Sequence, residues 1–120
     1  MLHGTYAVCQ LSSTSPIPAW ADGEGFITIS RSDEELSIVC PEARVPADTK
    51  AERGWRALKL EGPFEFSLTG ILASVLGPLA EANIGVFAVS TFDTDYVLVK
   101  AAHLEAALEA LESAGHEVNR

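Results

Sequence analysis

Two polar clusters carry the residue types that recognition chemistry needs. The first is Glu65-Phe66-Ser67-Leu68-Thr69-Gly70-Ile71. The apolar periodicity behind it predicts a helix from Leu68, with Ser67 as N-cap. This run then presents backbone N–H groups at the helix start, where amides lack an internal acceptor and the dipole is positive. Such an end favours a carboxylate or another anion. Gly70 has no side chain to block a ligand from the backbone. A capped helix packed on a sheet, with Gly70 allowing close helix–strand contact, accounts for the same residues without a ligand.

The second cluster is Ser90-Thr91-Phe92-Asp93-Thr94-Asp95. The Asp95 carboxylate, beside the hydroxyl of Thr91 and the ring of Phe92, suits an ammonium or guanidinium group. A polar hairpin tip with no ligand is the plainer account. An anion-accepting site and a cation-accepting site together describe a free amino acid.

Catalytic motifs are few. No phosphate-binding glycine loop and no Gly-x-Ser-x-Gly elbow occurs. Asp93 and Asp95 could share a divalent cation, but no further acidic ligands lie close in sequence, and hairpin aspartates commonly cap turns. His3, His103 and His116 show no metal-ligand spacing with one another or with Cys9 and Cys40. No cofactor, metal site or catalytic group is expected. Both cysteines lie in apolar segments and read as buried thiols, although a disulfide between neighbouring strands stays open.

Composition narrows the partners. In 120 residues, 8 Lys and Arg face 17 Asp and Glu, a formal net charge of −9. That field repels phosphates and anionic lipid, so neither nucleic acid nor a membrane surface is an expected partner. Hydrophobic residues make up 48% and charged residues 21%, a globular balance. The apolar runs are too short to span a bilayer, and the N-terminus has no signal-peptide pattern, so a cytoplasmic location is expected.

The elements that must position the clusters are clearest in the C-terminal half. Residues 55–61 alternate as a half-buried strand and stop at Gly62-Pro63. Leu68, Ile71, Leu72, Val75, Leu76 and Leu79 mark one helix face, with Pro78 expected to bend or shorten its last turn. Strands follow over 86–91 and 95–100, joined by a turn at Phe92-Asp93-Thr94. A second helix carries Leu104, Ala107, Leu108 and Leu111 inward and ends at Gly115, with a last short strand over 116–118. This strand-helix-strand-strand-helix-strand order is the ferredoxin-like split βαβ unit, an α+β fold.

The N-terminal half reads as the same plan with parts removed. It has a strand over 5–11, a loop in place of the first helix, a hairpin over 25–40, and a short helix over 47–53 closed by Gly54. Laying 25–42 on 85–102 aligns Gly25 with Gly85, Ser30 with Ser90, Asp33 with Asp93 and Val39 with Val99. Repetition of strand, acidic turn and strand suggests two related units.

The same residues carry a family resemblance. Residues 55–120 resemble an ACT domain, the regulatory amino-acid-binding module of many biosynthetic enzymes. The stretch from Thr69 to Val86, with its Asn83-Ile84-Gly85, is similar to the ACT helix and the strand after it. Val89-Ser90-Thr91-Phe92-Asp93-Thr94-Asp95-Tyr96-Val97-Leu98-Val99 is similar to the branch holding the animal cytosolic arginine sensors and small stand-alone bacterial proteins. The resemblance implies a degenerate ACT-like unit over 1–54 and an ACT domain over 55–120, with strand 55–61 assignable to either. It implies ligand contacts at Leu68, Thr69, Gly70, Ile71, Thr91, Phe92 and Asp95, an amino-acid effector, homodimerisation, and a regulated protein partner. Two positions depart from the sensors: Glu65 replaces a glycine, and Leu68 replaces an acidic residue that engages the cationic side chain. A neutral amino acid therefore fits at least as well as arginine. The usual Asp-x-Pro-Gly of the ACT loop survives only as Gly70. The alternative is an adaptor whose former site is filled by Glu65, Leu68 and Phe92.

Overall fold

The computed structural model describes residues 1–60 and 69–120. Ser67, Leu68, Glu65 and the Gly62-Pro63 break lie outside the described residues. The chain divides into two compact units, one of residues 4–55 and one of residues 1–3 with 56–120.

In the N-terminal unit, β1 (Tyr6–Leu11), β2 (Thr28–Arg31) and β3 (Leu36–Pro41) form an antiparallel sheet in the order β2-β3-β1. Their register places Ala7 opposite Cys40, Cys9 opposite Ile38 and Leu11 opposite Leu36. Alternation by two sends all six to one face. There Ala7, Cys9, Leu36, Ile38 and Cys40 join Ala21 and Val45 in a buried core. Cys9 and Cys40 are diagonal neighbours on adjacent strands, both buried and both free. Burial, then the proximity of Cys40, raises the Cys9 thiol from 9.0 to about 11, against a smaller opposing effect of Arg53. Burial likewise raises Cys40.

The expected helix over 47–53 is absent. β4 runs from Ala51 to Lys59 and passes through Gly54 rather than starting after it. The β1 register against β4 slips between Tyr6↔Trp55 and Val8↔Glu52. Gly54 takes up the slip with φ +77, a conformation that costs other L-residues about 1–2 kcal/mol. Its N–H, displaced from the ladder, donates to Glu42 Oε1 at 2.6 Å.

The C-terminal unit carries the end of β4, then α1 (Thr69–Glu81), β5 (Val86–Ser90), β6 (Asp95–Lys100) and α2 (Leu104–Ser113). Its strand order is β4-β6-β5. Val97 and Val99 of β6 pack with Leu58, Val75, Leu79, Leu108 and Leu111, so both helices contribute to one core. Leu98, between the two valines, points to the opposite face.

Both helices end in a Schellman motif. Asn83 is the only non-glycine with positive φ among the described residues; its N–H donates to Ala80 O, and that of Ile84 to Leu79 O. Ile84 and Leu79 are buried in the same core, supplying the apolar contact of that motif. Gly115, at φ +96, does the same for α2: its N–H donates to Glu112 O and that of His116 to Leu111 O.

Pro78 does not stop α1, which continues to Glu81. A proline has no N–H to donate to the carbonyl four residues back, here Ser74. His116 Nε2 lies 2.9 Å from that carbonyl oxygen and occupies the vacant acceptor. The expected strand over 116–118 does not form; the residues following α2 are irregular. Leu2 N–H instead bonds Ala57 O of β4 at 2.9 Å, and the Met1 amine bonds Asn119 O at 2.8 Å.

Candidate functional site

The helix start and the β5–β6 turn are built by different means. Thr69 is the first residue of α1. Gly70 is exposed and in helical conformation, and a Cβ added there would meet nothing within 4 Å among the described residues. Close packing of α1 on the described strands therefore does not explain this glycine. Ile71 is half-buried and lines a cavity of about 480 Å³.

At the turn, Thr91 N–H and Thr91 Oγ1 both donate to Thr94 O, at 2.8 and 3.0 Å. Thr91 is thus committed to closing the hairpin, and Phe92 at the tip is fully exposed. Asp95 opens β6 opposite Ser90, whose hydroxyl donates to Asp95 Oδ1. The Asp95 carbonyl accepts from Leu60 N–H at 2.9 Å. Leu60 in turn lines the same cavity as Ile71. Leu60, just past β4, thus bonds the Asp95 backbone and lines the cavity that Ile71 of α1 also lines, whereas Phe92 is exposed to solvent. Leu68 lies outside the described residues.

The cavity lies within the C-terminal unit and was not expected from sequence. Leu58, Leu60, Ile71, Val75, Leu111 and Val118 form its apolar lining. His116, Glu117 and Asn119 line it from the segment after α2. The segment was expected to be a strand, so its contribution to a pocket went unseen. The signal was present in the sequence as Pro78 and His116: a helix carbonyl without a donor, and a donor just past the second helix.

Among the described residues, no group of three or more His, Cys, Asp or Glu is placed to hold a metal ion. No helix among them is long and apolar enough to cross a membrane.

With this geometry described, comparison with known proteins gives the family. The ACT-domain family model matches residues 50–113, more than half of the chain. The chain belongs to the ACT-domain family. A second family model, described as an N-terminal domain, matches residues 4–48. The human protein named cytosolic arginine sensor for mTORC1 subunit 1 is 32% identical over 110 residues, covering 86% of this chain and 33% of that protein. The chain thus spans about a third of the length of this curated relative. A crystal structure of an Agobacterium tumefaciens protein is 48% identical, covers 97% of this chain and 87% of its own, and superposes with a TM-score of 0.93. The regulatory subunit of aspartate kinase from Thermus thermophilus shares the fold at 12% identity, with 93% and 92% coverage and a TM-score of 0.63. The ACT match begins at residue 50, one residue before β4, so the whole of that strand falls within it.

Proposed function

We propose that this ACT chain is a non-catalytic module that binds a free amino acid and regulates another protein through the bound state. The observation that carries the reading is that Leu60 is shared: it holds the Asp95 backbone and lines the cavity entered by Ile71 at the start of α1. A zwitterion near this end of β4 would set its carboxylate toward the α1 amides of Thr69–Ile71 and its ammonium toward an acidic group such as Asp95. Thr91 shapes the turn that presents Asp95, and Phe92 would act as a contact from the hairpin tip.

Regulation follows from differential affinity. A ligand shifts the arrangement of units only by as much as it binds one arrangement better than another. Metabolite-range dissociation constants, micromolar to millimolar, correspond to about −8 to −4 kcal/mol. A cytoplasmic homodimer suits the role: among the described residues β5 pairs with β6 on one side only, and it carries exposed Val86 and Ala88. A second copy covering that edge would remove a site of non-specific strand pairing. The arginine-sensor relative, matched over 33% of its length, supports an amino-acid ligand.

A thermal-shift screen of the twenty amino acids tests the proposal. A specific ligand at 100 times its dissociation constant adds about 2.7 kcal/mol to the folded state. No shift at tens of millimolar with any of them sinks it and favours an adaptor without a small-molecule site.

A further inference from the structure

We infer that the cavity of the C-terminal unit takes the side chain of an uncharged aliphatic α-amino acid, with the polar head of the ligand toward residues 116–119. This rests on the proposal that the chain binds an amino acid, but it sets the ligand's ammonium and carboxylate at residues 116–119 instead of at Asp95 and the α1 amides, and it adds the ligand class and the residues that select it.

Four observations lead there. The cavity, about 480 Å³, falls within the range of small-molecule pockets. Its walls differ in character: Leu58, Leu60, Ile71, Val75 and Leu111 give apolar surface from β4, the residue after it, α1 and α2, whereas the polar groups are Lys59 at the end of β4 and His116, Glu117 and Asn119 in the segment after α2, which also adds Val118. Leu58, Val75 and Leu111 line the cavity and keep 5–7% exposure, as Ile84 and Leu104 of the same core do away from it at 7–8%, while Leu79, Val97 and Val99 keep none and do not line it. The core thus meets the cavity at Leu58, Val75 and Leu111, and among the described residues no strand after α2 covers it there. Finally, the hydrogen bond from His116 to Ser74 O pins the polar wall to α1 at a fixed place, as a binding wall must be.

The division of the walls selects the ligand. An aliphatic side chain against Ile71, Val75 and Leu111 leaves water, and the ammonium and carboxylate meet Glu117 and the Asn119 amide. A guanidinium in the apolar half would be buried without an acid, at high cost. Asp95 does not line the cavity, and its Oδ1 is already engaged by Ser90.

Isothermal titration of the full chain with L-valine, L-leucine, L-isoleucine, L-arginine and L-glutamate tests the inference, alongside the variants Ile71→Trp and Val118→Trp. Both positions are half-buried, and Val118 lies outside every regular element, so filling the cavity from it does not depend on repacking a helix. Thermal unfolding of each variant confirms that it folds. The expected result is binding of the aliphatic amino acids over arginine and glutamate, weakened at least tenfold by each substitution. Preference for arginine, or aliphatic binding that survives both substitutions, overturns the cavity assignment while leaving amino-acid binding itself standing. Binding lost in Asp95→Asn but retained in Ile71→Trp and Val118→Trp would place the side chain at the hairpin instead. Absence of binding by all five, together with no thermal shift from any of the twenty amino acids, overturns the functional reading and this inference with it.

Discussion

Gly70→Ala separates structure from ligand binding at the start of α1. Gly70 is helical and exposed, and an added Cβ meets no atom within 4 Å among the described residues. Its φ is not positive, unlike that of Gly54 or Gly115. The methyl group therefore brings no clash, and it removes the entropy that glycine loses on entering a helix, about 0.5–1 kcal/mol in mid-helix. In the first turn the lower half applies, about 0.5 kcal/mol, or about 2 °C in Tm for a chain of this size. If a ligand carboxylate approaches the α1 amides there, the same methyl weakens binding, by tenfold for each 1.4 kcal/mol of lost contact. Chemical denaturation and titration of the same preparation give both quantities. Destabilisation above about 1 kcal/mol would refute the packing argument. Amino-acid affinity equal to that of the parent chain would remove Gly70 from the site.

Three other outcomes follow from local chemistry. In a double-mutant cycle, His116→Ala costs about 1 kcal/mol in the parent chain but nearly nothing beside Pro78→Ala, because an alanine N–H then supplies Ser74 O; additive effects would show that the imidazole contact carries no energy. Gly54→Ala destabilises by about 1–2 kcal/mol, read from a denaturant midpoint, since φ +77 is strained for alanine while space is open; a neutral effect would mean that the bulge relaxes. The Cys9 thiol, held at about 11 when folded against 9.0 unfolded, makes the folded state bind the proton more tightly. Its stabilising contribution is complete below pH 9 and is lost as pH rises through 11, and Cys9→Ala flattens that part of the stability curve. An unchanged slope above pH 9 in the variant would contradict this.

Much of the C-terminal unit was legible in the sequence, because its elements have a face to bury. Leu72, Val75, Leu76 and Leu79 set α1 at helical spacing, and the alternation in β6 gave its bounds. The hairpin, the Gly115 cap and the ferredoxin-like plan followed from the same patterning. Gly54 misled because glycine ends helices and also relieves bulges, and only the Glu42 carboxylate, distant in sequence, distinguishes the two. Residues 116–118 have strand-like composition, but the β4 edge bonds Leu2, and His116 is drawn to Ser74. At the candidate site, Ile71 was legible and the cavity was not. Its polar wall depends on a missing hydrogen bond at Pro78, which no hydrophobic pattern records. The turn residues around Phe92 were legible, but not that the turn closed by Thr91 and Thr94 leaves its ring fully exposed.

Native mass spectrometry of the chain, gently purified and then incubated with an equimolar mixture of the twenty amino acids, tests ligand binding most directly. The account predicts an added mass equal to one uncharged aliphatic amino acid per chain, released on mild activation. A spectrum containing only the bare chain and its multiples, at amino-acid concentrations well above the millimolar range, would contradict it.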